Sequence, residues 1–294
     1  MNTPRPARDR IVVGIDSTQS SRYAVLWAAE EARIRRCSLV ITHVDPAAGP
    51  PLGAAGAGAS GTVLDLSAAA ASLRQPGVPV GTLLLSGSVS DELTRLSRTS
   101  SLLVIGVDRA VPRAAHGARG SVEDRVVTQS DCPVVVVPVR PRVDDAQHHH
   151  IVSGWTDDEA GRRSLEVAVS EAALRRASLH IVSLVAAQSS SAPRSRSPFA
   201  TAVAEVTAQH PDLQVSAEES ATPALGTLLR HAEQADLAIL ASSHSTDPWS
   251  IRMGFLTGRA MREASCPVML TGVGADTAAV AAVPADRTRS LADS

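Results

Sequence analysis

A carboxylate closes the first apolar run of the chain: Ile11 to Ile15, with Gly14 inside it, is followed at once by Asp16. A second apolar run, from Leu102, ends in Ile105-Gly106-Val107 and opens into DRAVPRAAHGARGS, a loop carrying Gly117 and Gly120. Glycines without a Cβ let backbone approach a phosphate closely. The sequence Ser121-Val122-Glu123-Asp124 then approximates a capping box, so free N–H groups and the positive end of a helix dipole stand at the loop's end. Arg109, Arg113 and Arg119 can add guanidinium groups toward phosphate oxygens, whereas Glu123 and Asp124 in the first helical turn disfavour an anion. All 28 basic residues are Arg, which excludes a Walker-type loop, a Schiff-base enzyme and a protein-kinase core. Any grip on phosphate therefore falls to Arg and to backbone N–H groups. Beyond Asp16, no residue offers to activate water.

These groups need a scaffold that brings two strand ends together. The first half has short, β-branched, apolar runs at Ile11 to Ile15, Leu39 to Val44, Val80 to Leu85, Leu102 to Ile105 and Val134 to Val137. Such runs suit strands covered by helices on both faces. Helical patterns lie between them at Ser20 to Arg36, Thr62 to Leu73, Ser90 to Arg98 and Val122 to Thr128. Right-handed crossovers then predict one twisted parallel sheet. With the first strand central, its end and that of the Leu102 strand flank the crevice where the winding reverses, the usual ligand position in open α/β sheets.

The pattern occurs twice. RIVVGIDSTQSSRYAVLWAAEEARIRRCSLVITHV from Arg10 aligns with HIVSGWTDDEAGRRSLEVAVSEAALRRASLHIVSLV from His150, placing Gly14 on Gly154, Glu31 on Glu171 and Arg35 on Arg175. DCPVVVV answers SCPVMLT near the end of each half. A duplication accounts for this. The Gly/Ala-rich stretch from Asp45 to Gly61 and the Ser-rich stretch from Ala186 read as flexible by composition, the linker falls near Pro138 to His149, and the tail from Ala275 reads as poorly ordered.

Several function classes fall away. A net charge of −2 supplies no basic field for nucleic acid. No apolar run approaches a membrane span, and the N-terminus lacks a signal-type apolar region, so a cytoplasmic protein is expected. Cys37, Cys132 and Cys266 have no metal or redox spacing. His148 to His150 read as a solvated linker, His43 and His244 lack a paired nucleophile, and no metal site is assigned.

The strand-Gly-x-Asp start, the acidic and Ala-rich first helix, the glycine loop ending in Gly-Ser and the Cys-Pro-Val-Val-Val-Val last strand resemble the universal stress protein family in its tandem form. The resemblance implies an α/β fold of two tandem doubly wound domains, residues 1–142 and 143–294, each an open five-stranded parallel sheet of order 3-2-1-4-5 with helices on both faces. It also implies a stress-response role and adenine nucleotide, ATP with Mg, as ligand of the first domain. The expected binding residues are Gly14, Asp16, Val44, Gly106, Val107, Arg109, Gly117, Gly120, Ser121 and Val122. Arg109 stands where the family has a second glycine, and one extra residue precedes Gly120. In the second half Thr156, Ala241, His244 and Phe255 replace the Asp, the two loop glycines' first and second positions and the Ser, so that copy is expected to be structural. A nucleotide-free scaffold and a slow ATPase are the alternatives. The apolar last strands are expected to pair with each other or across a homodimer, beside unknown regulatory protein partners.

Overall fold

The computed structural model describes residues 9–46, 55–108, 121–139, 148–185, 197–219, 224–242 and 248–272. Ten strands and eight helices alternate through them. The first half runs β1 (Arg10–Ile15), α1 (Gln19–Arg35), β2 (Ser38–Asp45), α2 (Ala55–Arg74), β3 (Val80–Ser86), α3 (Val89–Ser97), β4 (Leu102–Val107), α4 (Val122–Gln129) and β5 (Val134–Pro138). The second runs β6 (His150–Trp155), α5 (Glu159–Arg175), β7 (Ser178–Ser183), α6 (Pro198–Gln209), β8 (Val215–Glu219), α7 (Ala224–Ala232), β9 (Leu237–Ala241), α8 (Pro248–Glu263) and β10 (Val268–Thr271). The expected boundary at 142/143 lies outside the described residues.

All ten strands join one sheet, β3-β2-β1-β4-β5-β10-β9-β6-β7-β8, so each half has the expected 3-2-1-4-5 order. Every pairing within a half is parallel, and β5 meets β10 antiparallel. Val135 pairs with Met269, its own counterpart when the two Cys-Pro sequences are aligned. A pseudo-twofold axis therefore passes between these residues. The two apolar last strands pair inside one chain, and the homodimer expected through them has no free edge there; the outer strands are β3 and β8.

An apolar cluster lies on each face of the sheet and runs through both halves. One joins Ile11, Val13 and Ile41 to Ile151, Leu179 and Ile239 beneath α1 and α5. The other joins Val12, Leu103 and Val136 to Val152, Leu240 and Val268 beneath α3, α4, α7 and α8. Side-chain alternation along strands makes this division. The expectation of burial on both faces fails at β3, an edge strand whose Leu84 is exposed.

Both copies of the first helix end on an αL residue, Arg36 and Arg176, whose N–H closes the last turn. Helix α2 begins at Ala55, inside the stretch expected to be flexible, and Ala's high helix propensity outweighs the interspersed glycines there.

Where α1 and α5 meet at the pseudo-twofold, four charged side chains close a buried ring. Arg35 Nε donates to Glu31 Oε1 and Arg175 Nη2 to Glu31 Oε2, each at 2.5 Å, while Arg35 and Arg175 also pair with Glu171. Burial pushes the Glu31 carboxyl up, but Arg175 and Arg35 outweigh it and hold the group below its ordinary value.

Candidate functional site

At the end of β1 the short polar residues Asp16, Thr18, Ser20 and Ser21 hydrogen-bond one another. Thr18 caps α1 by accepting from Ser21 N–H. Asp16 Oδ1 accepts from Thr18 N–H at 2.8 Å, from Ser21 Oγ at 2.6 Å and from the Thr18 hydroxyl, and Asp16 N–H donates to Ser21 Oγ at 2.9 Å. Partial burial raises the Asp16 pKa, and the hydrogen bonds from Ser21 and Thr18 more than reverse this, leaving the group below its ordinary value. The result is an ionised carboxylate locked at a strand end.

β1 pairs with β2 on one side and β4 on the other, so the strand order reverses beside Asp16. A cleft opens there. Its described lining is Asp16, Thr18 and Ser20 from the β1–α1 turn, Gly106, Val107 and Asp108 from the end of β4, and Ser121, Glu123 and Asp124 from the start of α4. Met261 and Arg262 of α8 complete it from the second half. Ser121 caps α4 in a full capping box with Asp124: Asp124 N–H donates to Ser121 Oγ at 3.1 Å, and Ser121 N–H to Asp124 Oδ2 at 3.3 Å.

The cleft gathers Asp16, Gly106, Val107 and Ser121 from the residues expected at the site. Gly14 instead packs inside the sheet, where a Cβ would lie 3.1 Å from both Leu93 methyls. Val44 is buried in β2, paired with Leu85, and Val122 is exposed on the first turn of α4; neither is among the described lining residues. Arg109, Gly117 and Gly120 lie outside the described residues, as do Arg113 and Arg119. Gly106 has a structural task besides its place in the lining. A Cβ there would stand 2.5 Å from the carbonyl carbon of Ser20, so only glycine lets the end of β4 pass the first turn of α1.

Electrostatically the described wall is acidic. Asp16, Asp108, Glu123 and Asp124 face the cleft together with a single guanidinium, that of Arg262. An unscreened polyphosphate is repelled by such a wall; a cation-neutralised one, or a neutral hydroxyl-rich group, is not. Arg262 escaped the reading of the sequence because its contribution depends on β5 meeting β10, which carries α8 to the first half's cleft.

Among the described residues, the corresponding crevice of the second half is lined differently. Thr156, at the Asp16 position, is 1% exposed and donates to Asp158 Oδ1 at 2.8 Å. Trp155 packs on Phe199 with ring centroids 5.3 Å apart, and Leu184 and Leu240 crowd Gly154. Helix α8 starts at Pro248, so Gly254 and Phe255, which align with Gly120 and Ser121, lie inside the helix. Their N–H groups are spent on helical hydrogen bonds, so α8 offers none at the position that Ser121 holds in the first half. His244 lies outside the described residues.

His43 is a strut at the end of β2. Its Nδ1 meets the Ile15 carbonyl at 2.9 Å and its Nε2 meets Asp45 Oδ1 at 3.1 Å. Ser60 donates to that same Asp45 oxygen at 2.8 Å, so the carboxylate, not the imidazole, sits beside the hydroxyl and no nucleophile is activated. His148 and His149 are exposed, but His150 differs from the expected linker residue: it opens β6, half-buried, with Nδ1 2.9 Å from Ser178 Oγ.

Residues 7–138 match the Universal stress protein family. A universal stress protein of Mycobacterium tuberculosis is 28% identical over 188 residues, which span 56% of this chain and 59% of that relative, little more than half its length. One from Mycolicibacterium smegmatis is 25% identical over 293 residues, covering 88% of this chain and 96% of that one. The crystal structure of a universal stress protein from Archaeoglobus fulgidus superposes with a TM-score of 0.71 at 16% identity, covering 90% of this chain and 96% of its own. At that identity the likeness speaks for the fold. Among the described residues, no helix is long and apolar enough to cross a membrane.

Proposed function

We propose, for a chain that belongs to the universal stress protein family through its domain at residues 7–138, that the cleft beside Asp16 binds ATP or a related adenine nucleotide and that the protein is a stress-response regulatory module governed by that occupancy. One observation carries this reading: an ionised carboxylate and a capped helix start face each other across the point where the sheet's winding reverses. The Asp16 carboxylate is a fitting acceptor for ribose hydroxyls. The first turn of α4 and the Arg262 guanidinium are the described groups suited to phosphate oxygens. Because Asp108, Glu123 and Asp124 share the wall, the nucleotide is taken as its Mg²⁺ complex.

Isothermal titration of the full chain with ATP, ADP and AMP at millimolar concentration, with and without Mg²⁺, tests the reading. Asp16→Ala is expected to weaken binding by about 10- to 150-fold, the worth of a hydrogen bond to a charged group. Thr156→Ala is expected to leave it unchanged. Absence of binding by all three nucleotides, or equal loss in both variants, refutes the proposal. The acidic wall itself favours a second reading, a nucleotide-free scaffold that meets its partners through other surfaces, and a null titration selects it. A slow ATPase has little support, since Asp16 is the one group the sequence offers to activate water and the hydrogen bonds from Ser21 and Thr18 make its carboxylate a weaker base.

A further inference from the structure

The two copies diverge most in chemistry on the sheet face beneath α3 and α7. Register equates Val40 with His180 and Leu83 with Glu218, because Leu39 pairs with Val80 as Leu179 pairs with Val215. Leu96 corresponds to His231: the carbonyl of each accepts from the amide three residues on, Thr99 at 3.1 Å and Gln234 at 3.2 Å, as the chain leaves the helix for the next strand. In the first copy all three positions belong to the apolar cluster. In the second, an imidazole, a carboxylate and another imidazole occupy the same space. Their ligand atoms all lie within 4.8 Å of one another.

His180 is 8% exposed. Its Nδ1 meets Ser216 Oγ at 2.8 Å, and its Nε2 is buried without a hydrogen-bond partner. A buried, unmatched ring nitrogen costs free energy unless something binds it. With the Nδ1 proton donated to Ser216, Nε2 presents a lone pair, the arrangement in which an outer partner fixes a metal-ligating histidine. The His231 ring stacks on His180, centroids 3.7 Å apart at 28°, and its Nε2 lies 3.1 Å from Glu218 Oε2. Burial, reinforced by His231 and His150, drives the His180 pKa down to about 4, so the ring is neutral near pH 7 and loses no proton on coordination.

We propose that His180, His231 and Glu218 form a binding site for a first-row divalent cation of the zinc class. Two imidazole nitrogens and one carboxylate oxygen suit that class, and three protein ligands leave a further position open. Stacked rings cannot both aim a lone pair at one ion, so coordination splays them, with His231 turning on the last turn of α7. The Arg230 guanidinium, 3.2 Å from Glu218 Oε1 and largely exposed, swings away toward solvent. The bound ion ties β7, β8 and α7 together. This site shares no residue with the cleft beside Asp16 and does not depend on nucleotide binding.

The test uses the full chain, stripped with EDTA and titrated with Zn²⁺ by calorimetry and with Co²⁺ by visible absorption. One tight equivalent per chain and a tetrahedral Co²⁺ spectrum are expected. The double variant His180→Val, His231→Leu installs the residue types of the first copy and is expected to lose both signals. Glu218→Gln keeps the shape of the side chain and is expected to weaken binding by at least about tenfold, since outer-shell changes alone cost about that much. His148→Ala with His149→Ala is expected to retain the site. Absence of Zn²⁺ uptake by the wild type overturns the proposal. So does uptake unchanged in Glu218→Gln and the double variant, or uptake lost only when the exposed His148 and His149 are removed.

Discussion

Replacing Glu171 by Gln removes one of two carboxylates from the buried ring between α1 and α5 and leaves Arg35 and Arg175 to share Glu31. Their side chains are 8% and 10% exposed, and Glu31 is 2% exposed, so little water reaches the uncompensated charge. Breaking a buried ion pair from one side costs about 3–5 kcal/mol, which at about 2 °C per kcal/mol for a chain of this size lowers Tm by about 6–10 °C. The variant Glu31→Leu, Arg35→Met, Glu171→Leu, Arg175→Met removes all four charges together and is expected to be neutral or up to about 4 kcal/mol more stable. Urea titration and calorimetry at pH 7 measure both. Acid adds a signature. Glu31 has a depressed folded pKa, so its contribution is complete above its ordinary value of 4.5 and is lost as pH falls through the lower folded value. The deficit of Glu31→Gln relative to wild type should therefore shrink only below about pH 4.5. A loss under about 1 kcal/mol in Glu171→Gln, the size typical of surface bridges, would refute the reasoning by showing the ring to be hydrated. So would a quadruple variant less stable than the single one.

Two further outcomes follow from the packing. Gly106→Ala drives a methyl into the Ser20 backbone and is expected to cost about 1–3 kcal/mol in urea titration while weakening nucleotide binding. Gly14→Ala meets only side-chain methyls and should cost less; equal costs would contradict the assignment. Burial pushes the Cys37 thiol up to about 11 against the lowering effect of Arg35, so the native chain should react with a thiol reagent about a hundredfold more slowly than the chain in urea. Equal rates would show an accessible thiolate.

The order 3-2-1-4-5 came from the family resemblance, whereas the duplication and the strand runs were legible because each rests on local patterns repeated at matching positions. Ser121 was legible as a cap for the same reason, since its partner Asp124 is three residues away. What stayed hidden depends on how the copies meet. Glu31 and Arg35 align with Glu171 and Arg175, yet nothing in the alignment states that the four side chains share one space. His180, Glu218 and His231 come from two strands and a helix, and only the register reveals that they replace Val40, Leu83 and Leu96. Gly254 aligned with a loop glycine but lies in α8, where a helix begun at Pro248 had already consumed the turn.

Joining the halves through β5 and β10 also frees them from symmetry. In a pair of identical chains, every substitution appears on both sides of the axis, so one pocket cannot be shut without shutting its twin. A covalent fusion lifts that constraint: Thr156 and Phe255 stand in one copy where Asp16 and Ser121 stand in the other. Each copy can then change its own pocket without its twin following.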